Sequence, residues 1–207
     1  MPSAQTDGYG VYDKIGQRED VVHLACWAHV RREFERALDN DRERARVALA
    51  YIQKLYAIER QARDEGLTPD RRKELRLEHS LPIINELSGW IKRQLAQALP
   101  KSQIGKAMTY AAKRWDALSA YLHDGLLEID NNLVENTIRP LALGRKNYLF
   151  AGSHKAAQRA AMIYSLLGTC KLHGVNPAQW LTHVLANILQ TKYNDVRMLY
   201  PQNFSQP

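Results

Sequence analysis

The sequence predicts a mainly α-helical chain with a small β remnant. Three observations carry that prediction. Apolar residues recur at three- to four-residue spacing from Phe34 to Ile58 and again from Ile104 to Leu122. Residues that start and stop helices bracket these stretches: Thr68-Pro69, Ser102, Gly125, Gly174 and Pro177. One segment, Val21-Val22-His23-Leu24-Ala25-Cys26, is apolar and β-branched on both parities, as a buried strand is.

The elements follow in order. Residues 1–20 are turn-rich, punctuated by Gly8, Gly10, Asp13 and Gly16. After the strand, Phe34, Ala37, Leu38, Ala45, Leu49, Ile52, Leu55 and Ile58 mark one long helical region, with Tyr56 beside the stripe. Gly66 and Thr68-Pro69 break it. Thr68 suits an N-cap and Pro69 the first helical position. A helix is expected over 69–79, and another, with Pro82 near its start, runs to Leu99 and stops at Pro100. Ser102 caps a helix containing Ile104, Ala107, Met108, Ala111, Trp115, Leu118 and Leu122. These helices read as an antiparallel bundle, with Trp27, Met108, Trp115 and Tyr121 in its core.

Beyond Gly125 the texture changes. Residues 126–132 form a short extended or turn segment, and Asn132 is expected to cap a short helix through Glu135 and Arg139, closed by Pro140. The stretch LALGRKNYLFAGS reads as a glycine-flanked loop or hairpin. Residues 156–172 read as a well-packed helix with Ala160, Ile163, Tyr164, Leu167 and Cys170 on one face. Pro177 opens a last amphipathic helix with Trp180, Leu181, Val184, Leu185 and Ile188. From Tyr193 the tail is polar and expected to be loose.

Composition narrows the class. At about 150 residues per domain, 207 residues and 23.7 kDa make one large domain or two small ones. Two cysteines, Cys26 and Cys170, cannot build a disulfide scaffold. The first residues lack a basic stretch followed by an apolar run, and no 18-residue apolar stretch occurs. A secreted mini-protein and a membrane protein are excluded as expectations; a basic intracellular protein remains. Lys and Arg number 29 against 22 Asp and Glu, giving a net charge of +7. Residues 27–76 carry 13 basic and 10 acidic side chains closely interleaved, as solvated helix faces do. Residues 136–194 contain no acid but hold Arg139, Arg145, Lys146, Lys155, Arg159, Lys171 and Lys192. Such a one-sided cationic surface suits a phosphate backbone; its bland alternative is a surface kept for solubility.

Three short motifs carry the chemistry: Asp7-Gly8-Tyr9-Gly10-Val11-Tyr12, CWAHVRREF from Cys26, and DNNLVENTIRP from Asp130, followed by Gly144-Arg145-Lys146-Asn147. Singly each is weak. The first is a turn, the second is half a zinc site without a second half nearby, and the third is ordinary capping. Together and in this order they resemble the transposases of the insertion sequence sixty-six family, which are bacterial and of the DDE type. LPKSQIGKAMTYAAKRW, the block ending in FAGS and TCKLHGVNPAQWL extend the resemblance from Asp7 to about Ile188.

The resemblance implies a partial ribonuclease H-like α/β core interrupted by a helical insertion. Residues 1–26 would supply core strands and 27–125 the insertion. Residues 126–173 would form the glutamate-bearing helix and a basic DNA-facing segment, and 174–207 a C-terminal helix and tail. It also implies three carboxylates binding two Mg²⁺ or Mn²⁺ ions that drive DNA cleavage and strand transfer. Mg²⁺ prefers carboxylate oxygens, and two metals stabilise both attacking and leaving oxygens of an in-line displacement. Asp7 matches the second aspartate and Glu135 the closing glutamate. The family's first aspartate lies upstream of the DGY motif, where only six non-acidic residues precede Asp7. The expectation is therefore of the C-terminal portion of a transposase, inactive by itself.

Other roles follow from the same resemblance. Asp130 is a further candidate metal ligand, weighed against a turn-stabilising role. Cys26 and His29 fit a Cys-x-x-His signature that supports the active site; the alternative is a buried thiol and a polar imidazole. Arg139, Arg145, Lys146, Lys155 and Arg159 are expected to grip DNA phosphates. The implied partners are transposon-end and target DNA and further copies of the chain assembled on DNA, with no membrane. The implied location is the bacterial cytoplasm at the nucleoid. A second reading is a non-catalytic DNA-binding or regulatory transposase fragment; a third is a plain helical scaffold.

Overall fold

The computed structural model describes residues 3–6, 22–147 and 150–204. Strand β1 (Ser3–Thr6) pairs in parallel with β2 (Val22–Ala25), Ser3 opposite Val22 and Thr6 opposite Ala25. The strand read from the sequence is thus present. The turn-rich reading of residues 1–20 misses β1, whose four residues are too short and mixed to show a period. All other regular structure among the described residues is helical. The chain divides into two compact units, residues 1–133 and 134–207.

In the first unit, α1 (Trp27–Arg36) leaves the end of β2 and buries Trp27, Val30 and Phe34 on one stripe. Trp27 is pinned three ways. Its indole N–H donates to the Leu118 carbonyl (2.9 Å), its backbone N–H donates to the Ile129 carbonyl (3.2 Å), and its ring meets Trp115 edge-on (5.9 Å). The long helical region then proves to be two helices. Residues 37–41 turn the chain, and Asp41 caps α2 (Arg42–Asp64) by accepting from the Arg44 N–H (3.1 Å). Apolar periodicity hid this break because both helices face the same core.

Thr68 and Pro69 start α3 (Pro69–Leu75) as expected, Thr68 Oγ1 accepting from the Arg71 N–H. One wide π turn, Arg76–Ser80, joins it to α4 (Leu81–Leu95). Pro82 sits just beyond that turn; a proline ring and missing N–H disrupt an ordinary α turn, and the looser π turn accommodates both. Ser102 caps α5 (Gln103–Lys113), which α6 (Trp115–Ser119) and a 3₁₀ turn (Ala120–His123) continue. Ile52, Ile84, Leu87, Met108, Leu118 and Leu122 are fully buried where these helices meet. Met108 and Tyr121 belong to this core, and Trp115 packs against it half-buried.

The interleaved charges are solvated pairs only in part. Arg31–Glu35, Arg36–Glu33 and Arg71–Glu74 are surface pairs one turn apart. Glu59 and Arg76, however, are completely buried. Arg76 forks onto Glu59 (2.7 and 2.8 Å), and its remaining N–H groups donate to the carbonyls of Tyr121, Asp124 and Leu127, each at 2.8 Å. All five guanidinium donors are used. Arg72 adds a second bridge, from Glu59 (2.7 Å) to Glu128 (2.8 Å). At Gly125, buried against α3, a Cβ would strike the Pro69 carbonyl, so the chain turns there only with glycine.

The second unit holds most of α7 (Asn132–Gly144), with α8 (His154–Leu172) and α9 (Pro177–Asn187). Pro140 does not close α7. It forfeits one helical N–H, and bonding resumes beyond it, the Arg145 N–H donating to the Leu141 carbonyl (3.0 Å). The first part of LALGRKNYLFAGS is therefore helix rather than loop, and Asn132 is the first helical residue rather than the cap. Of the face expected on α8, only Cys170 is fully buried, while Ile163 is 57% exposed. Asn176 caps α9, and Gly174 (φ 66°) ends α8 as expected. The tail, described to residue 204, is folded rather than loose. The Trp180 indole donates to the Leu199 carbonyl (2.9 Å), and Phe204 meets the His183 ring edge-on (5.2 Å).

Two outcomes follow from the buried charges. Glu59→Ala leaves Arg76 without its carboxylate and is expected to cost about 3–5 kcal/mol, read from the urea midpoint. Burial raises the Glu59 pKa, but Arg76 and Arg72 lower it by more, to below the ordinary glutamate value of 4.5. Its ionised form therefore stabilises the fold above that value, and the stabilisation is lost as pH falls through the depressed one. Thermal melts across the acid range are expected to show this loss, and Glu59→Gln to flatten it.

Candidate functional site

A polar cluster in the first unit gathers where β2 ends. Strand β1 stops at Thr6, paired with Ala25; Cys26 follows Ala25 and opens α1. The Asp130-Asn131-Asn132 turn is docked on this strand end. The Ile129 carbonyl takes the Trp27 N–H, and the Asn131 N–H points at the Cys26 sulfur. These two contacts place the start of the third motif beside the start of the second.

Asp130 is heavily engaged. Its Oδ1 accepts from the Asn132 N–H (3.0 Å), and its Oδ2 accepts from the Asn132 side-chain amide and the Tyr56 hydroxyl, both at 2.8 Å. The first bond is the local turn that an Asp-x-Asn sequence makes readily. The Tyr56 bond spans 74 residues and joins α2 to the turn. Burial and the Asp130 carboxylate push the Tyr56 phenol well above its ordinary pKa, so it stays protonated and donates. The Asn131 Oδ1 is buried and accepts no hydrogen bond among the described residues.

Cys26 is a buried free thiol. Burial pushes its pKa up, outweighing the N–H groups of Asn131, His29 and Ala28 aimed at the sulfur. Its thiol therefore stays protonated and is a poor nucleophile by itself. His29 lies half-buried one turn into α1. Among the described residues no three His, Cys, Asp or Glu side chains converge as a metal site. Asp7, one residue beyond β1, lies outside the described residues.

The second unit carries Glu135 and the predicted cations. Glu135 is half-buried in the first turn of α7, and Arg139 is exposed one turn later on the same side. Arg145 and Lys146 stand exposed in the turn that ends α7. Lys155 and Arg159 are exposed on one face of α8. None of these five cations has a carboxylate partner among the described residues.

Sequence reasoning named Asp130 but missed its partner. Tyr56 was legible only as an aromatic just off the apolar stripe of α2. Such a residue carries a hydroxyl that needs an acceptor when it is covered.

Comparison with known proteins adds the family. The model of the transposase IS66 family matches residues 3–159, and that of the IS66 C-terminal element matches residues 165–202. Uncharacterized protein y4qI of Sinorhizobium fredii is 36% identical over 209 residues, covering 97% of this chain and 38% of its own length. Uncharacterized protein y4hP of the same organism is 33% identical over 201 residues, covering 89% of this chain and 36% of its own. Uncharacterized protein YuaK of Escherichia coli is 41% identical over 49 residues, 24% of this chain and 52% of its own. The chain thus spans under two fifths of the length of the first two relatives. No solved structure matches it.

Tyr56→Phe removes the hydroxyl that ties α2 to the Asp130 turn. The expected cost is about 1–2 kcal/mol, measured by urea denaturation, with the helical far-ultraviolet spectrum retained.

Proposed function

The chain belongs to the IS66 transposase family, and from that premise we propose that it serves DNA transposition as part of a metal-dependent DNA cleavage and strand-transfer enzyme. The observation that carries this reading is the pairing of the family's motif order with an acid-free cationic run, residues 136–194, that begins directly after Glu135. Phosphodiester substrates must bring their negative charge to the carboxylate centre, and cations beside it lower that cost.

The residues take the following roles in this reading. Asp7 and Glu135 hold the divalent cations, with Asp130 as a further candidate whose oxygens also anchor the turn. Their oxygen donors suit Mg²⁺ or Mn²⁺. The bound cations supply charge neutralisation and polarisation of the phosphoryl oxygens. Arg139, Arg145, Lys146, Lys155 and Arg159 hold the DNA backbone, Arg by bidentate contacts and Lys as point charges. Cys26 and His29 support the strand end on which the DNN turn rests. A ribonuclease H-like core built around β1 and β2 belongs to this proposal, as do assembly on transposon ends and action on DNA in the bacterial cytoplasm. Among the described residues no helix is long and apolar enough to cross a membrane.

The tests separate binding from chemistry. Fluorescence anisotropy with duplex DNA is expected to show binding by this chain that weakens steeply with salt. Arg145→Ala with Lys146→Ala should reduce the log–log salt slope by roughly 2. In a full-length family member, alanine at the positions aligned with Asp7 and Glu135 should lower strand cleavage by about 10²–10³-fold. Cleavage unchanged by both substitutions would remove them from the site. Salt-sensitive binding by a full-length member that never cleaves would favour the regulatory reading.

A further inference from the structure

A groove of about 430 Å³ runs between α1 and α2 in the first unit, outside every position assigned above to metal or DNA. Arg31 and Glu35 form its α1 wall, and Leu49, Gln53, Tyr56 and Arg60 line it from α2. The α2 residues recur at three- to four-residue spacing, so one helix face presents all of them. The volume is that of a small-ligand site and far too narrow for a duplex.

The lining is mixed in a useful way. Arg31 is held against the wall by its ion pair with Glu35 (2.9 Å). Arg60 is exposed and has no carboxylate partner among the described residues. Leu49 and the Tyr56 ring offer apolar and aromatic surface, and Gln53 offers both a donor and an acceptor. Glu35 is the acid in the lining, and Arg31 already offsets it. The Tyr56 hydroxyl bonds Asp130 at 2.8 Å, so one residue of the groove wall is tied directly to the Asp130 turn.

Resting on the transposase reading above, we infer that this groove binds one unpaired nucleotide of a DNA strand. Arg60, with Arg31, takes the phosphodiester, Leu49 and Tyr56 take the base face, and Gln53 meets the base edge. Guanidinium groups grip phosphates in pairs of hydrogen bonds, and bases stack on aromatic and aliphatic side chains without regard to sequence. The helical insertion then guides a strand opened beside the turn rather than serving as packing alone.

The experiment measures binding of the 207-residue chain to a fluorescent single-stranded 15-mer, to the matching duplex and to a free mononucleotide. The variants are Arg60→Glu, Leu49→Asn and the Arg145→Ala, Lys146→Ala pair. Arg60 is exposed and Leu49 half-buried, and circular dichroism melts confirm that each variant folds. Arg60→Glu is expected to weaken single-strand binding about tenfold and lower its salt slope by about 0.7. Leu49→Asn should weaken single-strand binding and spare the duplex. The Arg145, Lys146 pair should weaken both. Single-strand binding unchanged by Arg60→Glu and Leu49→Asn overturns the groove and leaves the DNA reading standing. Equal loss on both DNAs from Arg60→Glu, with none from Leu49→Asn, marks a general charge effect and also overturns it. Binding of the mononucleotide as tight as that of the 15-mer overturns the strand as occupant. No DNA binding by the wild-type chain overturns both proposals together.

Discussion

The first unit depends on one buried interaction, the fork of Arg76 on Glu59. A lone charge inside a protein is expensive, and a pair is tolerated only when geometry and hydrogen bonding are complete. Here they are complete: both carboxylate oxygens and all five guanidinium donors are engaged. The partners come from α2, from the π turn after α3, and from backbone carbonyls of residues 121, 124 and 127. The packed apolar residues hold these elements together as well. The ion pair holds them in one register, because any slip leaves a buried charge or donor without a partner.

That register reaches the candidate site. The segment 124–131 is gripped at its start by Arg76 and at Glu128 by Arg72. Near its end it meets the Trp27 N–H at Ile129, the Cys26 sulfur at Asn131 and the Tyr56 hydroxyl at Asp130. It contains no regular secondary structure, yet side chains and backbone N–H groups from α1, α2, α3 and the π turn hold it at six of its residues. The helical region, α1 to α6, is therefore more than a spacer between two motifs. Its buried charges and Tyr56 set where the DNN turn lies against the strand end.

The two units use charge differently. In the first, acids and bases are balanced and many are spent on each other, at the surface and inside. In the second, basic side chains stand exposed over residues 136–194 without a single acid among them. Its core is small, Cys170, Val175 and Trp180 with a few neighbours. Exposed apolar residues such as Val134, Ile138 and Leu141 line α7. Charge balance belongs to the part whose fold rests on ion pairs, and charge excess to the part proposed to meet phosphate.

The sequence alone determined the helical class, the β2 strand, the caps at Thr68 and Ser102, the stop at Gly174 and the asymmetry of charge. Each is a local property: a period, a capping oxygen or a count. It also placed the chain in its family, because motif order survives in one dimension. Tertiary structure decided what depends on distant partners. It split one long apolar stripe into α1 and α2, ran α7 through Pro140, and anchored the tail through Trp180. It buried Glu59 and Arg76, which in sequence look like any other charges on a solvated helix. It also gave Asp130 a partner 74 residues away. Burial and pairing are sums over neighbours that the chain meets only after folding, so no window of sequence contains them.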